Sequence, residues 1–297
     1  MRVFVTGASG WIGSAVVPEL VSAGHSVLGL VRSDAAAERV RGAGAEPLRG
    51  SLDDLGSLRS GAERADAVIH LANKHDWSNP AESNRAERAA VEALLDALEG
   101  SGKPFALAAG TAFAPGRLVT EDDANPASGP DAPRGGTEAL ALDAVARGVH
   151  SISLRFAPTV HGAGGEHGFI PQVVEAARRN GAAGYVGDGS NRWSAVHRRD
   201  AAVLVLRALE TASAGSRVHV VAEEGVTTRE VAEAIGAALG VPAVSVAPAD
   251  AGDHFGWIAG FWGLDIPASN ALTRERFDWT PAHPTLLEDI RSGAYTC

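Results

Sequence analysis

The segment that most constrains this chain is Thr6-Gly7-Ala8-Ser9-Gly10-Trp11-Ile12-Gly13. An apolar run, Val3 to Val5, leads into it, and a helix-like stretch, Ala15 to Leu20, follows. Strand, tight turn and helix start, in that order, bring backbone N–H groups and the positive end of a helix dipole to one point, which suits a pyrophosphate. Gly7 turns the chain, Gly10 leaves room where phosphates approach, and Gly13 lets the helix pack on the strand. A glycine triplet says little in a chain with 35 glycines. Its place between strand and helix predicts a dinucleotide site rather than a bare structural turn.

Strand-like and helix-like stretches then alternate. Ser26 to Val31, Ala67 to Leu71, Phe105 to Ala109 and Ser151 to Phe156 read as strands. Ala35 to Arg41, Leu55 to Arg64, Glu82 to Glu99 and Thr137 to Arg147 read as helices. This alternation predicts the α/β class: a Rossmann doubly wound parallel sheet with right-handed crossovers, plus a smaller C-terminal substrate lobe. Residues 1–160 are assigned to the dinucleotide-binding domain, to which 190–223 return; 161–189 and 224–297 are assigned to the lobe. A substrate cleft is expected between sheet and lobe, at the carboxyl ends of the strands. Thr228 to Leu239 is predicted as a helix capped by Thr227 or Thr228 and stopped by Gly240.

Composition narrows the partners. With 45% hydrophobic and 21% charged residues, the 297-residue chain can bury an ample core. A net charge of −10 argues against nucleic acid. No apolar run approaches the roughly 20 residues of a membrane span. The chain enters a strand at once, so a cytoplasmic location is expected. The single cysteine, Cys297, excludes an internal disulfide. No His-Glu-x-x-His or similar spacing occurs, and no metal is expected.

Arg32-Ser33 follows the second strand, where an NAD-specific fold places an acid on the ribose hydroxyls. An arginine there suits the 2′-phosphate of NADP. Asp34 stands next to it, and a solvated surface arginine is the alternative, so NADP is expected and NAD stays open.

At this point the residues resemble the extended and atypical short-chain dehydrogenase/reductases, the group of sugar-nucleotide epimerases and dihydroflavonol-type reductases. The matching pieces are the glycine turn, Gly50-Ser-Leu-Asp53, Val68-Ile-His-Leu71-Ala72, Leu154-Arg155-Phe-Ala-Pro158-Thr-Val-His161-Gly162 and Trp193-Ser-Ala-Val-His197-Arg-Arg-Asp200. The resemblance implies that Leu52 and Asp53 flank the adenine and that Leu71 and Ala72 line the ribose side. It also implies a reactive Tyr followed four residues later by a Lys. Here the corresponding stretch is Arg134-Gly-Gly-Thr137-Glu138, with Arg in place of Tyr and Glu in place of Lys; the only tyrosines are Tyr185 and Tyr295. Arginine stays protonated and does not shuttle protons.

By the same resemblance Thr111 sits where a substrate-polarising hydroxyl is kept, with a strand-capping threonine as the alternative. His161 replaces a Tyr and is expected to look into the cleft, unless it is a packed structural histidine. Thr111, Arg134 and His161 are therefore the candidate catalytic residues. His75, oriented by Asp76, and His167 are further possible sources of a proton or charge. No clear pyrophosphate clamp for a nucleotide sugar is evident; Lys74, Arg178, Arg179 and Arg192 are the candidates, or are surface charges. Phe255, Trp257, Phe261 and Trp262 read as lobe core or as a flat apolar wall. The family's habit of pairing two helices across a homodimer and a solvated charged face fit equally well, leaving monomer and homodimer open. The expected function is an NADP-dependent oxidoreductase reducing a small, largely apolar carbonyl or enone without the Tyr/Lys pair. The alternatives are a non-catalytic NADP-binding sensor, or an isomerase or lyase with no net cofactor turnover.

Overall fold

Strands and helices alternate in the computed structural model, which describes residues 1–74, 76 and 79–296. His75 and Cys297 lie outside the described residues. In chain order the elements are β1 (Arg2–Thr6), α1 (Gly13–Ser22), β2 (Ser26–Val31), α2 (Asp34–Gly42), β3 (Glu46–Arg49), α3 (Leu55–Glu63), β4 (Ala67–His70), α4 (Pro80–Leu98), β5 (Pro104–Gly110), α5 (Thr137–Asp143) and β6 (His150–Phe156). There follow β7 (Thr159–His161), α6 (Phe169–Asn180), β8 (Ala183–Val186), β9 (Arg192–His197), α7 (Arg198–Thr211), β10 (Ser216–Val220), β11 (Glu223–Thr227), α8 (Thr228–Leu239) and β12 (Ala243–Val246). Short helical segments close the chain.

The central sheet has seven parallel strands in the order β10-β6-β5-β4-β1-β2-β3. Its strands are nearly continuous apolar runs, because helices cover both faces of a parallel sheet. Phe4, Leu28, Ile69, Phe105 and Leu107 are fully buried in consequence. The strand order reverses beside β1, so the carboxyl ends of β1, β2 and β4 open at a switch point, the usual place for a ligand in such sheets.

The chain divides into two compact units. The first is Met1–Gly110, Ala124–Arg155 and Ala202–Val218; the second is Thr111–Asp123, Phe156–Ala201 and His219–Cys297. These boundaries differ from those drawn on the sequence. Only 202–218 of the expected 190–223 return to the sheet unit, and the segment beginning at Thr111 joins the second unit. Both boundaries fall within or directly beside regular elements, where composition carries no linker signal.

The second unit holds a three-stranded sheet, β11-β9-β7, and the pair β12-β8. Its core gathers Ile170, Val173, Trp193, Ile235, Trp262 and Leu286. Helix α8 starts in a capping box, in which the Thr227 hydroxyl accepts from Glu230 N–H and the Glu230 side chain reaches back. It stops at the left-handed Gly240. Among the described residues no helix is long and apolar enough to cross a membrane.

Candidate nucleotide site and the ion pairs behind it

The glycine turn is folded against itself and against the end of β4. Gly7 has φ +70, and a Cβ on it would stand 2.9 Å from Ala72 N. Gly10 N–H donates to Gly7 O at 2.9 Å. A Cβ on Gly13 would stand only 2.1 Å from the same oxygen, so the helix start and the turn meet with backbone alone. Helix α1 has no side-chain cap and no acidic residue in its first turn. Ser14 N–H and Ala15 N–H donate instead to backbone, to Gly10 O at 2.9 Å and Ile12 O at 3.0 Å, and no carboxylate offsets the positive end of the helix dipole.

A cavity of about 320 Å³ opens on this turn. Gly7, Ser9, Gly10, Trp11, Ile12 and Gly13 form its floor. Arg32 and Ser33 after β2, Leu52 and Asp53 after β3, and Leu71 and Ala72 after β4 form its walls. Thr6 is the exception among the expected cofactor residues. It is fully buried behind the turn, where its hydroxyl accepts from Ala72 N–H at 3.3 Å and contacts His70 Nδ1 at 2.9 Å.

Sequence reasoning missed Arg39 and Asn73 in the lining, and left Lys74 between a clamp and a surface charge. Arg39 lies on α2 one turn beyond Ala36, which also lines the cavity, so helical spacing from the expected Arg32-Ser33 was the available signal. Neither Arg32 nor Arg39 makes an ion pair among the described residues. Asp34, by contrast, is paired with Arg49, and Ser33 caps α2 by accepting from Ala36 N–H. Lys74 binds Asp53 at 2.7 Å, which raises its proton affinity. The other clamp candidates are engaged elsewhere: Arg192 with Asp265 at 3.0 Å, Arg178 with Tyr295 O and Arg179 with His254 O.

Behind the cavity, within the same unit, lies a chain of buried polar groups. Glu87 of α4 is only 1% exposed. Its Oε1 receives the Arg134 guanidinium at 2.6 Å, with His70 Nε2 at 3.8 Å, and its Oε2 accepts from Asn73 Nδ2 at 3.1 Å. Burial by itself pushes this carboxyl up, but the guanidinium and then His70 outweigh it and hold the group at about 2. The segment just before α5 makes a left-handed turn: Arg134 (φ 56, ψ 24), Gly135 (φ 63, ψ 21) and Gly136 (φ 63, ψ 27). For a residue with a side chain this conformation costs roughly 1–2 kcal/mol. Helix α4 holds it: Arg134 N–H donates to Asn84 Oδ1 and the Arg88 guanidinium to Gly135 O, both at 2.9 Å.

Glu138, which the resemblance sets in place of a lysine, is also buried. Its Oε1 accepts from Arg155 Nε and Ser153 Oγ, each at 2.6 Å, and its Oε2 from Asn125 Nδ2 at 2.8 Å. Arg134 and Glu138 therefore do not pair with each other. Each is matched to a different buried partner.

In the second unit, the Thr111 N–H donates to Phe156 O at 3.3 Å. His161 is fully buried, with Nδ1 donating to Asp289 Oδ2 at 2.6 Å and Nε2 lying 3.6 Å from Glu223. Burial favours the neutral ring, yet Asp289 and Glu223 together raise its proton affinity above the ordinary histidine value. His197, Asp200 and His283 bring side-chain atoms within 4.8 Å of one another, a grouping invisible in linear spacing. The two rings stack at 4.9 Å and 7°, and Asp200 accepts from Ala282 N–H, His283 N–H and His283 Nδ1–H. The aromatic cluster splits: Phe255 and Trp262 are core, whereas Trp257 and Phe261 are exposed at 48% and 38% and pack on Phe169.

Glu166, buried and bonded to the Tyr295 hydroxyl, is pushed by burial from an ordinary 4.5 to about 7. Its carboxyl holds a proton in the folded chain that it has lost in the unfolded one, so its contribution to stability falls as pH rises through that window. The full shift corresponds to about 3 kcal/mol. His197, pushed down to about 4 chiefly by burial, works in the opposite sense. The expected result is that Glu166→Gln melts progressively higher than the wild type as pH rises from acid to neutral. Thermal denaturation of both chains across that range checks it, and a constant difference refutes it.

Residues 3–222 match the pattern described as the NAD dependent epimerase/dehydratase family. An uncharacterized protein of Schizosaccharomyces pombe is 43% identical over 297 residues, 99% of this chain and 100% of its own length. The 4-hydroxy-2-methyl-3-oxo-4-farnesyl-3,4-dihydroquinoline-1-oxide ketoreductase of Stigmatella aurantiaca is 31% identical over 187 residues, 60% of this chain and 55% of that protein. Among solved structures, the UDP-glucose 4-epimerase of Thermus thermophilus in complex with NAD superimposes with a TM-score of 0.74 at 21% identity, covering 99% of this chain and 98% of that one. Strand order, glycine turn and sequence match agree, and the chain belongs to the NAD-dependent epimerase/dehydratase family.

Proposed function

We propose that the chain is an NADP-dependent oxidoreductase that reduces a small, largely apolar carbonyl or enone compound. The observation that carries the cofactor reading is the cavity wall after β2. Arg32 and Arg39 reach it without carboxylate partners among the described residues, while Asp34 is taken up by Arg49. Two unspent guanidinium groups suit a phosphate ester, with its planar, bidentate demand, better than they suit ribose hydroxyls. The pyrophosphate would rest on the uncapped start of α1, with Leu52 and Asp53 beside the adenine and Leu71 and Ala72 along the ribose. When bound, the nicotinamide supplies hydride; orientation and charge are the protein's part.

Of the residues proposed for the reaction, Arg134, in the first unit, offers a fixed positive charge for an oxygen that becomes negative. Water then completes the protonation. His161, buried between Asp289 and Glu223, fits a packed structural histidine better than a proton donor. The ketoreductase name of the Stigmatella relative supports a carbonyl substrate. NADPH is expected to bind about ten- to hundredfold more tightly than NADH, the worth of one or two charge-assisted hydrogen bonds. Arg32→Ala and Arg39→Ala should each narrow the gap. Fluorescence titration checks this, and equal dissociation constants for the two coenzymes overturn it.

The placement of Arg134 and Glu138 in buried ion pairs favours one second reading, a non-catalytic NADP sensor. A panel of carbonyls and enones separates the two: coenzyme consumption supports the reductase, and tight binding with no turnover supports the sensor. Product formed with unchanged coenzyme absorbance marks an isomerase or lyase.

A further inference from the structure

We propose that Glu87 is a positioning residue of this reaction: its buried carboxylate fixes the Arg134 guanidinium as a preset cation for the substrate oxygen that gains negative charge. The inference rests on the reductase reading above for the identity of that oxygen, while the anchor itself rests on geometry within the first unit.

Three successive residues in the left-handed region are unusual, and only glycine occupies that region freely. Two of the three are glycines. The third, Arg134, carries a side chain where glycine would fit without strain. A strained residue persists only where its surroundings over-determine it, and such residues gather at functional sites. Here α4 supplies the surroundings from one face, with Asn84, Glu87 and Arg88 spaced three and four residues apart. Neither glycine has room for a side chain. A Cβ on Gly135 would meet Asn84 O at 2.6 Å, and one on Gly136 would meet Gly129 N at 2.6 Å.

Glu87 is the hub of the grip. One oxygen holds Arg134, and the other holds Asn73, which lines the nucleotide cavity. The carboxylate thus ties the guanidinium to the cavity wall. Arg134 uses a single terminal nitrogen on Glu87, and its side chain is 34% exposed. Donors remain for a ligand oxygen. In the balanced step, the substrate carbon gains a C–H bond from reduced nicotinamide, the π electron pair moves towards oxygen, and water supplies the proton. Arg134 keeps all of its own.

Chemical rescue tests the anchor. Arg134→Gly removes the guanidinium and keeps a residue content with positive φ, and millimolar guanidinium chloride is the probe. We expect Arg134→Gly to lower coenzyme-dependent turnover about a hundredfold, the usual loss on removing one oxyanion partner, with NADPH affinity unchanged. Guanidinium should restore much of that turnover and raise the melting temperature of Arg134→Gly by several degrees. In Arg134→Gly/Glu87→Gln it should do neither, and Glu87→Gln alone should lower kcat more than it raises KM. A melting temperature of Arg134→Gly indifferent to guanidinium, or a rise that survives Glu87→Gln, overturns the anchor. A Glu87-dependent rise in a protein whose wild type consumes no coenzyme keeps the anchor and overturns the reductase reading.

Discussion

Arg155→Met should cost the folded chain about 3–5 kcal/mol, the usual penalty for stripping one partner from a buried ion pair. Arg155 is fully buried and Glu138 nearly so, with 2.6 Å between Nε and Oε1. Without the guanidinium, the Glu138 carboxylate keeps, among the described residues, only the Ser153 hydroxyl and the Asn125 amide. Two neutral donors do not offset the removal of a charge from water. Since whole domains are stable by about 5–15 kcal/mol, the variant should sit near the edge of folding. Urea denaturation followed by circular dichroism measures the loss. The double variant Arg155→Met/Glu138→Gln should recover a large part of it, because the stranded charge is then gone. If the single variant is as stable as the wild type, the pair contributes nothing and the burial argument fails.

Gly13→Ala should abolish measurable nucleotide binding. One added methyl group would stand 2.1 Å from Gly7 O and 2.9 Å from Ala8 Cα, both backbone atoms. No rotamer relieves such a contact, so turn and helix start must part. Overpacking of this kind costs about 1–3 kcal/mol in stability. The larger effect falls on the phosphate cradle, whose N–H groups lose their common focus. An NADPH affinity at least about a hundredfold weaker is expected, equivalent to about 3 kcal/mol. Titration alongside circular dichroism separates lost binding from lost fold. Unchanged affinity would show that the turn does not hold the coenzyme.

The parts legible in the sequence are those whose physics is local. The glycine turn joins β1 to α1 within eight residues, and period and composition are enough to find strand, turn and helix. The Arg32-Ser33 pair follows from the same alternation, and the Thr227-Thr228 pair marks the start of α8, where the cap is Thr227. Glu87 and Arg134 lie 47 positions apart, and Glu138 and Arg155 lie 17 apart. Only the fold brings each pair together. The glycines at 135 and 136 do signal positive φ, but nothing in the sequence says that Arg134 shares it. Thr6 looked like a cavity residue because it heads the motif, yet the strand's alternation turns its side chain inward to His70. The aromatic cluster misled for a similar reason. Residues 251–262 break into short helical segments, so no single helical face sorts the four rings.

The carboxylate beneath position 134 also bears on how this protein's chemistry can change. A phenol introduced there by Arg134→Tyr would stand against Glu87, an anion with its own neutralising partner removed. Like charge raises the proton affinity of both groups, so such a phenol would cling to its hydrogen at neutral pH. An ionisable tyrosine at this position would therefore require a second change at Glu87 as well. In that sense the buried acid commits the chain to a cation at this place, and no single substitution there would install phenol chemistry.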